Sequence, residues 1–450
     1  MWPAFSGFAQ DWPQSVGFLR AAEDYSFLAQ DQYPQNNLLE RLKYLPLGKR
    51  GKSYLTLGFN LRHQYEIFLN NSWGSGPQDE SGWWLQRYML YADLHLGSHL
   101  RFFGQTRTGL FYLTHVAPNP TQQDEFDIHQ AFVELYLLRN GTQQVSLQVG
   151  RQELWYGARR LISIREGPNV RQSFDLVKVN FQTPDVWNVD ALYAQYVPTQ
   201  PYVLDNERSD DQEIWGFYAA RKGPPHNVDL YYLGNRFAQT AFDEDTVGES
   251  RHSVGIRWWN ESGSLQWNNE AIYQFGRYGS GNIAAWTASF DVSYQFSGKV
   301  APQLGLRTEV ISGDAVRGDG HLQTFNALYP RGAYFGLIAL IGPANLIDVH
   351  PIYRMTLANQ LGILLDYDFF WRYSRQDGVY GPNVALVRSS EGTSSRFVGH
   401  QPGFELAWSI NRYLEWTLEA SYFVTGSFFT ESEGPDDNVW HFITQFSFKF

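Results

Sequence analysis

The last eleven residues alternate without a break: Trp440, Phe442, Thr444, Phe446, Phe448 and Phe450 fall on one parity, His441, Ile443, Gln445, Ser447 and Lys449 on the other. Period two is the signature of a β-strand, and a strand that is aromatic on one face must set that face against something apolar. The pattern recurs upstream. Trp286, Ala288, Phe290, Val292, Tyr294 and Phe296 alternate with Thr287, Ser289, Asp291, Ser293 and Gln295. Leu55, Leu57, Phe59 and Leu61 alternate with Thr56, Gly58, Asn60 and Arg62, and Leu361 through Trp371 alternates with a set that includes Asp366, Asp368 and Arg372. Apolar outside and polar inside, over segments of about ten residues, is the dyad of a transmembrane strand in a closed barrel.

About eighteen such segments are predicted, near residues 53–69, 83–97, 99–115, 125–138, 143–156, 172–182, 186–197, 212–222, 226–236, 250–260, 264–276, 283–297, 299–312, 346–358, 361–374, 396–410, 412–425 and 439–450. Their connections fall into two alternating classes. Short turns are expected at Gly97-Ser98, Arg139–Thr142, Thr183–Asp185, Gly223–Pro225, Glu261–Gly263, Ser297-Gly298, Asn359-Gln360 and Ile410–Arg412. Longer loops are expected at 70–82, 157–171, 198–211, 237–249, 313–345, 375–395 and 426–438. Short periplasmic turns opposite long extracellular loops, with an even strand number, predict an all-β fold: a transmembrane antiparallel β-barrel over 51–450. The seam falls where Trp440–Phe450 pairs back onto Tyr54–Leu69. Residues 1–50 lack strand alternation and are expected to form a periplasmic or lumen-entering segment. Gly313–Asn345 is too long for a plain turn and is expected to fold inward as a constriction or to cap the mouth.

Composition agrees with this reading. Aromatic residues make up 17% of the 450 positions, yet the mean hydropathy is −0.39, as expected of a chain apolar on alternate residues rather than in blocks. No apolar run approaches the roughly 18–20 residues of a membrane-spanning helix, the nearest being Leu337–Ile341. Cysteine is absent, which excludes disulfides, thiol catalysis and cysteine metal sites. A formal charge of −11 argues against nucleic acid as a partner. The acidity concentrates at Asp205–Asp211, Asp243–Asp245 and Glu431–Asp437, expected as solvated loops, with divalent cations bridging to lipopolysaccharide as the alternative. Met1 is not followed by a secretory signal, which reads as a mature form.

Against that acidic background, residues 151–171 invert the local charge: Arg151, Arg159, Arg160, Arg165 and Arg171 lie within about twenty residues. A guanidinium offers a planar fork to carboxylates and stays charged at any relevant pH. Two readings stand for this cluster: an electropositive surface along a conduit for anions, or a loop neutralised by Glu153, Glu166 and Asp175. Strand parity adds Arg62, Arg101, Arg107, Lys178, Arg307, Arg354 and Arg372 to the polar face, with Glu66, Asp93, Glu134, Asp190, Glu270, Glu309, Asp366 and Glu405. In a wide pore such charges sit in water; in a narrow lumen they must pair. Arg151 has the parity of Val145, Leu147 and Val149, so either the strand has left the lipid zone there or Gly150 marks a bulge.

Catalytic constellations are weak. His-Glu-x-x-His, phosphate-binding glycine loops and the Gly-x-Ser-x-Gly elbow are missing. His129, His350 and His400 are expected as polar residues of lumen or loops. Trp73, Tyr329 and Tyr334 could stack on sugar faces. No catalytic residues, metal ligands or cofactors are expected.

Several blocks resemble the alginate-export family of Gram-negative outer-membrane proteins. These are Arg41-Leu42-Lys43-Tyr44-Leu45-Pro46-Leu47, Leu85-Gln86-Arg87-Tyr88, Ala92-Asp93-Leu94-His95-Leu96-Gly97 and His129-Gln130-Ala131-Phe132-Val133. They continue with Val149-Gly150-Arg151-Gln152-Glu153-Leu154, Arg165–Arg171 with Ser173-Phe174-Asp175, and Thr324-Phe325-Asn326 through Tyr329–Gly336. The resemblance runs from about residue 40 to the end, and it implies an eighteen-stranded barrel whose lumen arginines guide an anionic polysaccharide outward. The function expected is therefore a passive outer-membrane channel for anionic saccharides, with Arg151, Arg159, Arg160, Arg165 and Arg171 as the first selectivity surface and Arg62, Arg107, Arg307, Arg331 and Arg354 contributing. An uptake porin for small organic anions or oligosaccharides, a barrel enzyme and a plugged scaffold in a surface complex are the alternatives. Outer-membrane lipid, lipopolysaccharide, the barrel assembly machinery and periplasmic or secretion proteins are the partners this implies.

Overall fold

The computed structural model describes residues 16–30, 32–33, 35, 37–48, 53–183, 186–223, 226–357 and 360–450. Eighteen strands form the wall: β1 (Tyr54–Leu69), β2 (Trp83–Leu96), β3 (Leu100–Tyr112), β4 (Asp124–Arg139), β5 (Gln144–Gln152), β6 (Ser173–Gln182), β7 (Trp187–Val197), β8 (Gln212–Arg221) and β9 (Asn227–Ala241). They continue with β10 (Thr246–Asn260), β11 (Leu265–Tyr278), β12 (Gly281–Gln295), β13 (Gln303–Ile311), β14 (Leu346–Leu357), β15 (Leu361–Arg372), β16 (Phe397–Ser409), β17 (Leu414–Thr425) and β18 (Val439–Lys449). Each pairs antiparallel with the next, and β18 returns to β1 with Asn60 opposite Lys449 and Leu69 opposite Trp440. The Phe450 amide donates to the Phe59 carbonyl at 3.0 Å, and the Phe450 carbonyl accepts from the Phe59 amide at 3.1 Å. Closure removes the sheet edge, which lipid cannot satisfy. No described helix is long and apolar enough to cross a membrane.

Parity sorts the two faces as alternation predicts. Leu90, Phe102, Val177, Phe217, Ile256, Phe290, Leu304, Trp440 and Phe446 point outward and are exposed, while Arg62, Arg101, Asp229, Glu270, Arg307 and His441 point inward and are buried. Many inward charges are paired: Arg101 with Asp93 at 2.8 Å and Glu134 at 3.2 Å, Arg257 with Asp229 at 2.9 Å, His441 with Glu66 at 2.8 Å.

Both described chain ends lie on the short-turn side. The turn positions 184–185, 224–225 and 358–359, and residues 1–15, lie outside the described residues. On the opposite side one expected loop is largely strand. Where 237–249 was to be a loop, β9 and β10 run on to Ala241 and from Thr246, leaving four residues, because Thr240 and Ala241 keep pairing with Val247 and Thr246 beyond an irregularity after Phe237. Asp243 in that tight connection is not a solvated loop acid. It is buried and accepts from the Ser390 amide at 2.9 Å and the Ser390 hydroxyl at 2.7 Å, tying the hairpin to the 373–396 loop. Most of Asp205–Asp211 and of Glu431–Asp437 is exposed or half-buried, as a solvated loop should be.

Residues 16–30 sit against lumen-facing side chains near the short-turn end. Arg20 is fully buried and paired with Glu23 at 3.0 Å, and it donates to the carbonyl of Phe450. The Tyr91 hydroxyl donates to Glu23 at 3.0 Å, and Arg101 donates to the Ala21 carbonyl at 2.7 Å. Room for Tyr91 comes from its cross-strand partner Gly58, where any Cβ would overlap the phenol ring.

Candidate functional site

β5 ends at Gln152 and pairs with its neighbour β4 only as far as Ala131, so the upper end of β4 is met instead by residues 201–204 through the parallel bridge Phe126–Val203. The chain from Glu153 to Gln172 is thereby released into the lumen. Its Leu154, Leu161 and Ile162 are buried with Phe174, Leu328, Tyr329 and Phe335 in one apolar cluster, which gives the inward fold its driving force.

Polar clamps set its position. Arg62 donates to the carbonyls of Glu166 (3.0 Å), Gly167 (2.8 Å) and Pro168 (2.8 Å). The Asn169 amide donates to the carbonyls of Gln86, Leu110 and Gln122 at 3.1, 3.3 and 2.9 Å. Glu166 forms buried ion pairs with both Arg87 and Arg171. Burial opposes its charge, but Arg171, Arg87 and Arg62 hold its carboxyl well below the usual carboxylate range.

The second inward loop, residues 312–345, meets the first edge to edge. Ile162 and Tyr329 form a parallel bridge, the Tyr329 amide donates to the Leu161 carbonyl at 2.9 Å, the Ser163 amide to the Tyr329 carbonyl at 2.9 Å, and the Arg331 amide to the Arg159 carbonyl at 3.3 Å. This seam brings arginines from both loops against arginines of the wall. Arg160 pairs with Glu270 at 2.7 Å and lies 3.5 Å from Glu309, whose carboxylate also accepts from the Tyr334 hydroxyl at 2.9 Å. Arg307 pairs with Asp291 at 2.8 Å, and the Arg331 guanidinium lies 5.2 Å over the Tyr334 ring. Arg159 stacks 4.5 Å over Trp155 and has no carboxylate partner among the described residues. Burial, then Arg307 and Arg257, push its guanidinium down to about 10. Five guanidiniums (Arg159, Arg160, Arg257, Arg307, Arg331) gather here among the carboxylates of Asp229, Glu270, Asp291 and Glu309. An anion arriving there would relieve the mutual repulsion that lowers Arg159.

The ten arginines singled out by sequence fall into three groups. Arg159, Arg160, Arg307 and Arg331 converge at the seam. Arg354 follows on the wall beside Arg307 and donates to Gln303 at 2.8 Å. Arg165, near the seam, donates to the Pro330 carbonyl at 3.2 Å and has no carboxylate partner among the described residues. Arg62, Arg107 and Arg171 are buried struts: Arg107 pairs with Asp124, and Arg171 pairs with Glu153 at 3.0 Å and donates to the Phe18 carbonyl at 3.1 Å. Arg151 is apart from all of these. The register runs unbroken through Gly150, so Arg151 keeps the outward parity of Val149, and its guanidinium bonds Asp175 at 2.8 Å and approaches Asp127 at 3.6 Å. Of the two readings of the 151–171 cluster, pairing with Glu153, Glu166 and Asp175 holds for Arg171, which is buried with Glu153 and Glu166, and for Arg151, which is half-buried against Asp175. Arg87 and Arg257 were not anticipated. Arg257 could have been found by parity, since Val254, Ile256 and Trp258 mark the outward face of its strand.

Tyr329 and Tyr334 lie at the seam and are buried; Trp73 instead packs on Phe423 and Phe429. Tyr156, Tyr218 and Tyr231 form a stack with ring centroids 4.8 and 5.0 Å apart beside Glu270. His129 bonds Glu153 at 2.8 Å and Arg107, and His400 stacks on Tyr367.

The alginate-export family profile matches residues 53–440, which is nearly all of the barrel. This chain belongs to the alginate-export family. No curated protein sequence matches it. Among solved structures, this alginate-export family barrel is similar to channels of Pseudomonas aeruginosa. OccK1 (OpdK) superposes with a TM-score of 0.61 at 11% identity, over 88% of this chain and 99% of that chain. OccD3 (OpdP) gives 0.58 at 12% identity, over 91% and 93%, and OpdK crystallised with vanillate gives 0.61 at 10% identity, over 88% and 99%. At such identities the likeness is one of fold. Family and fold together make the protein an outer-membrane β-barrel channel with short periplasmic turns and long extracellular loops.

Proposed function

We propose that the channel passes anionic saccharides, carboxylated polysaccharide above all, and selects them at the seam where the two inward loops meet. The observation that carries this reading is Arg159, a guanidinium without a carboxylate partner among the described residues, set beside Arg307 and Arg331 at the loop junction. Trp155 beneath it and the tyrosines around it offer flat apolar surface of the kind that sugar rings stack upon. Selection here is by guanidinium forks on carboxylates and needs no chemistry on the solute. In this proposal residues 16–30 form a lumen insert that regulates passage, and the barrel assembly machinery and lipopolysaccharide are the partners of insertion.

Reversal potentials in planar bilayers under a salt gradient test the selection. The wild type is expected to prefer anions, and Arg159→Glu with Arg331→Glu to weaken or invert that preference. A cation-selective wild type, indifferent to both changes, overturns it. A second reading, uptake of small aromatic carboxylates, is favoured by the shared fold with the OpdK that was crystallised with vanillate. Current block separates the two: block by uronate oligosaccharides with none by vanillate supports the first, the reverse supports the second.

A further inference from the structure

On the lumen face of three consecutive strands, β14, β15 and β16, lies a cluster that takes no part in the proposed selection at the loop junction. Asp348 and His350 come from β14, Asp366 and Asp368 from β15, and Gln401 from β16, where it is the register partner of Asp368. All five are buried, four of them completely or nearly so: Asp348 and His350 are 1% exposed, Asp368 and Gln401 0%. Donor atoms of Asp348, His350 and Asp368 lie within 4.8 Å of one another.

Asp348 makes this cluster unusual. Both of its carboxylate oxygens are buried without a hydrogen-bond partner, and so is Oε1 of Gln401. A carboxylate removed from water and left unpaired costs several kcal/mol unless a cation or proton joins it. Arg307, the register partner of His350, is paired with Asp291 at 2.8 Å.

The imidazole is placed as a ligand is placed. His350 Nδ1 is 2.7 Å from Asp368 Oδ1, yet neither ring nitrogen has the alignment of a hydrogen bond. Two donors about 2.0–2.2 Å from one ion and at right angles lie roughly 3 Å apart, so a small adjustment of this pair admits an ion between them. The other nitrogen, Nε2, stands 3.3 Å from Asp366 Oδ2, the position of the outer carboxylate that orients a metal-bound imidazole. We propose that Asp348, His350 and Asp368 bind one divalent cation, with the Gln401 carbonyl oxygen as a further donor and Asp366 as the outer partner. Two carboxylates balance the charge of the ion. The imidazole favours Mn²⁺ or Zn²⁺ over Mg²⁺ and Ca²⁺.

Such an ion would also pin a loop. Gly336, in the second inward loop at φ +72°, rests directly on this cluster: a Cβ there would stand 2.6 Å from Asp368 Oδ2 and overlap the Gln401 amide. The cation would therefore brace the wall beneath the 312–345 loop.

The test uses the full chain, purified in detergent and stripped with chelator. Equilibrium dialysis against micromolar MnCl₂ or ZnCl₂, read by elemental analysis, is expected to give one ion per chain. Asp366→Asn is expected to weaken binding by about 10- to 100-fold, the scale of an outer partner, and Asp348→Asn or His350→Gln by more. Pulsed electron paramagnetic resonance of the Mn²⁺ form is expected to show coupling to an imidazole nitrogen, a readout on the wild type alone that stands even if a variant fails to fold. No ion above the buffer level, equal binding by Asp348→Asn, or the absence of nitrogen coupling would each overturn the proposal.

Discussion

Replacing Glu166 by glutamine removes one negative charge and almost no volume, from a place where two guanidiniums depend on it. Arg87, Arg171 and Glu166 are all buried, at 1%, 0% and 6% exposure. Breaking a buried pair costs about 3–5 kcal/mol, because the partner is left as an uncompensated charge. Arg171 keeps Glu153 at 3.0 Å and Arg87 keeps the Glu166 carbonyl at 3.2 Å, so the low end of that range applies. About 3 kcal/mol moves the balance between the held and released forms of the 153–172 loop by roughly 100-fold. The main anchors that remain are the three carbonyls on Arg62 and the three that Asn169 reaches. Single-channel recording reads this balance as the time spent in each conductance level, and heat-modifiable migration on gels checks that the barrel has closed. A folded variant whose gating moves by about fivefold or less, the scale of a surface ion pair, would refute the assignment of Glu166 as the clamp. The sign with pH follows. Because the folded carboxyl sits below its ordinary value, its hold is full above the ordinary carboxylate range and is lost only as pH falls beneath it. Wild-type gating through this clamp is therefore expected to be flat over roughly pH 5–8.

Other groups give different signatures. Asp314, in the 312–345 loop, is pushed up to about 7 by burial and by Glu244, Asp377 and Asp319. Its stabilising effect is full below the unfolded value of 3.8 and is lost as pH rises through about 7, so the loop is expected to loosen near neutrality, and Asp314→Asn to flatten a conductance–pH profile that otherwise bends there. Removing the chain up to Gln30 takes away the Arg20, Ala21 and Glu23 contacts in the lumen and is expected to raise single-channel conductance; an unchanged current shows that this segment lies off the conducting path. Arg151→Ala is expected to leave ion selectivity unchanged, because its guanidinium bonds outward-facing Asp175, and a selectivity change in that variant would contradict the parity assignment.

Strand identity, strand number and the closing pair were readable because lipid outside and polar groups inside force a period of two on every wall segment. The same rule placed Arg62, Arg307 and Glu270 on the inner face. It fails on β2, where the inward residues include Leu85, Met89 and Tyr91, since they face packed loops and residues 16–30 rather than water. Arg87 was hidden among them. The seam itself was unreadable: Arg159 and Arg331 are separated by eight strands, β6 to β13, and no periodicity links two irregular loops that meet only because both leave the wall. Sequence spacing likewise could not assemble Asp348, His350 and Asp368, which become neighbours through the register of two strands.

The contact between Arg20 and the Phe450 carbonyl joins the beginning of the described chain to its last residue. The same segment is held by Tyr91 and Arg101, from the second and third strands of the wall. Residues 16–30 thus bridge the two sides of the closing pair, so their full set of contacts exists only in the closed ring.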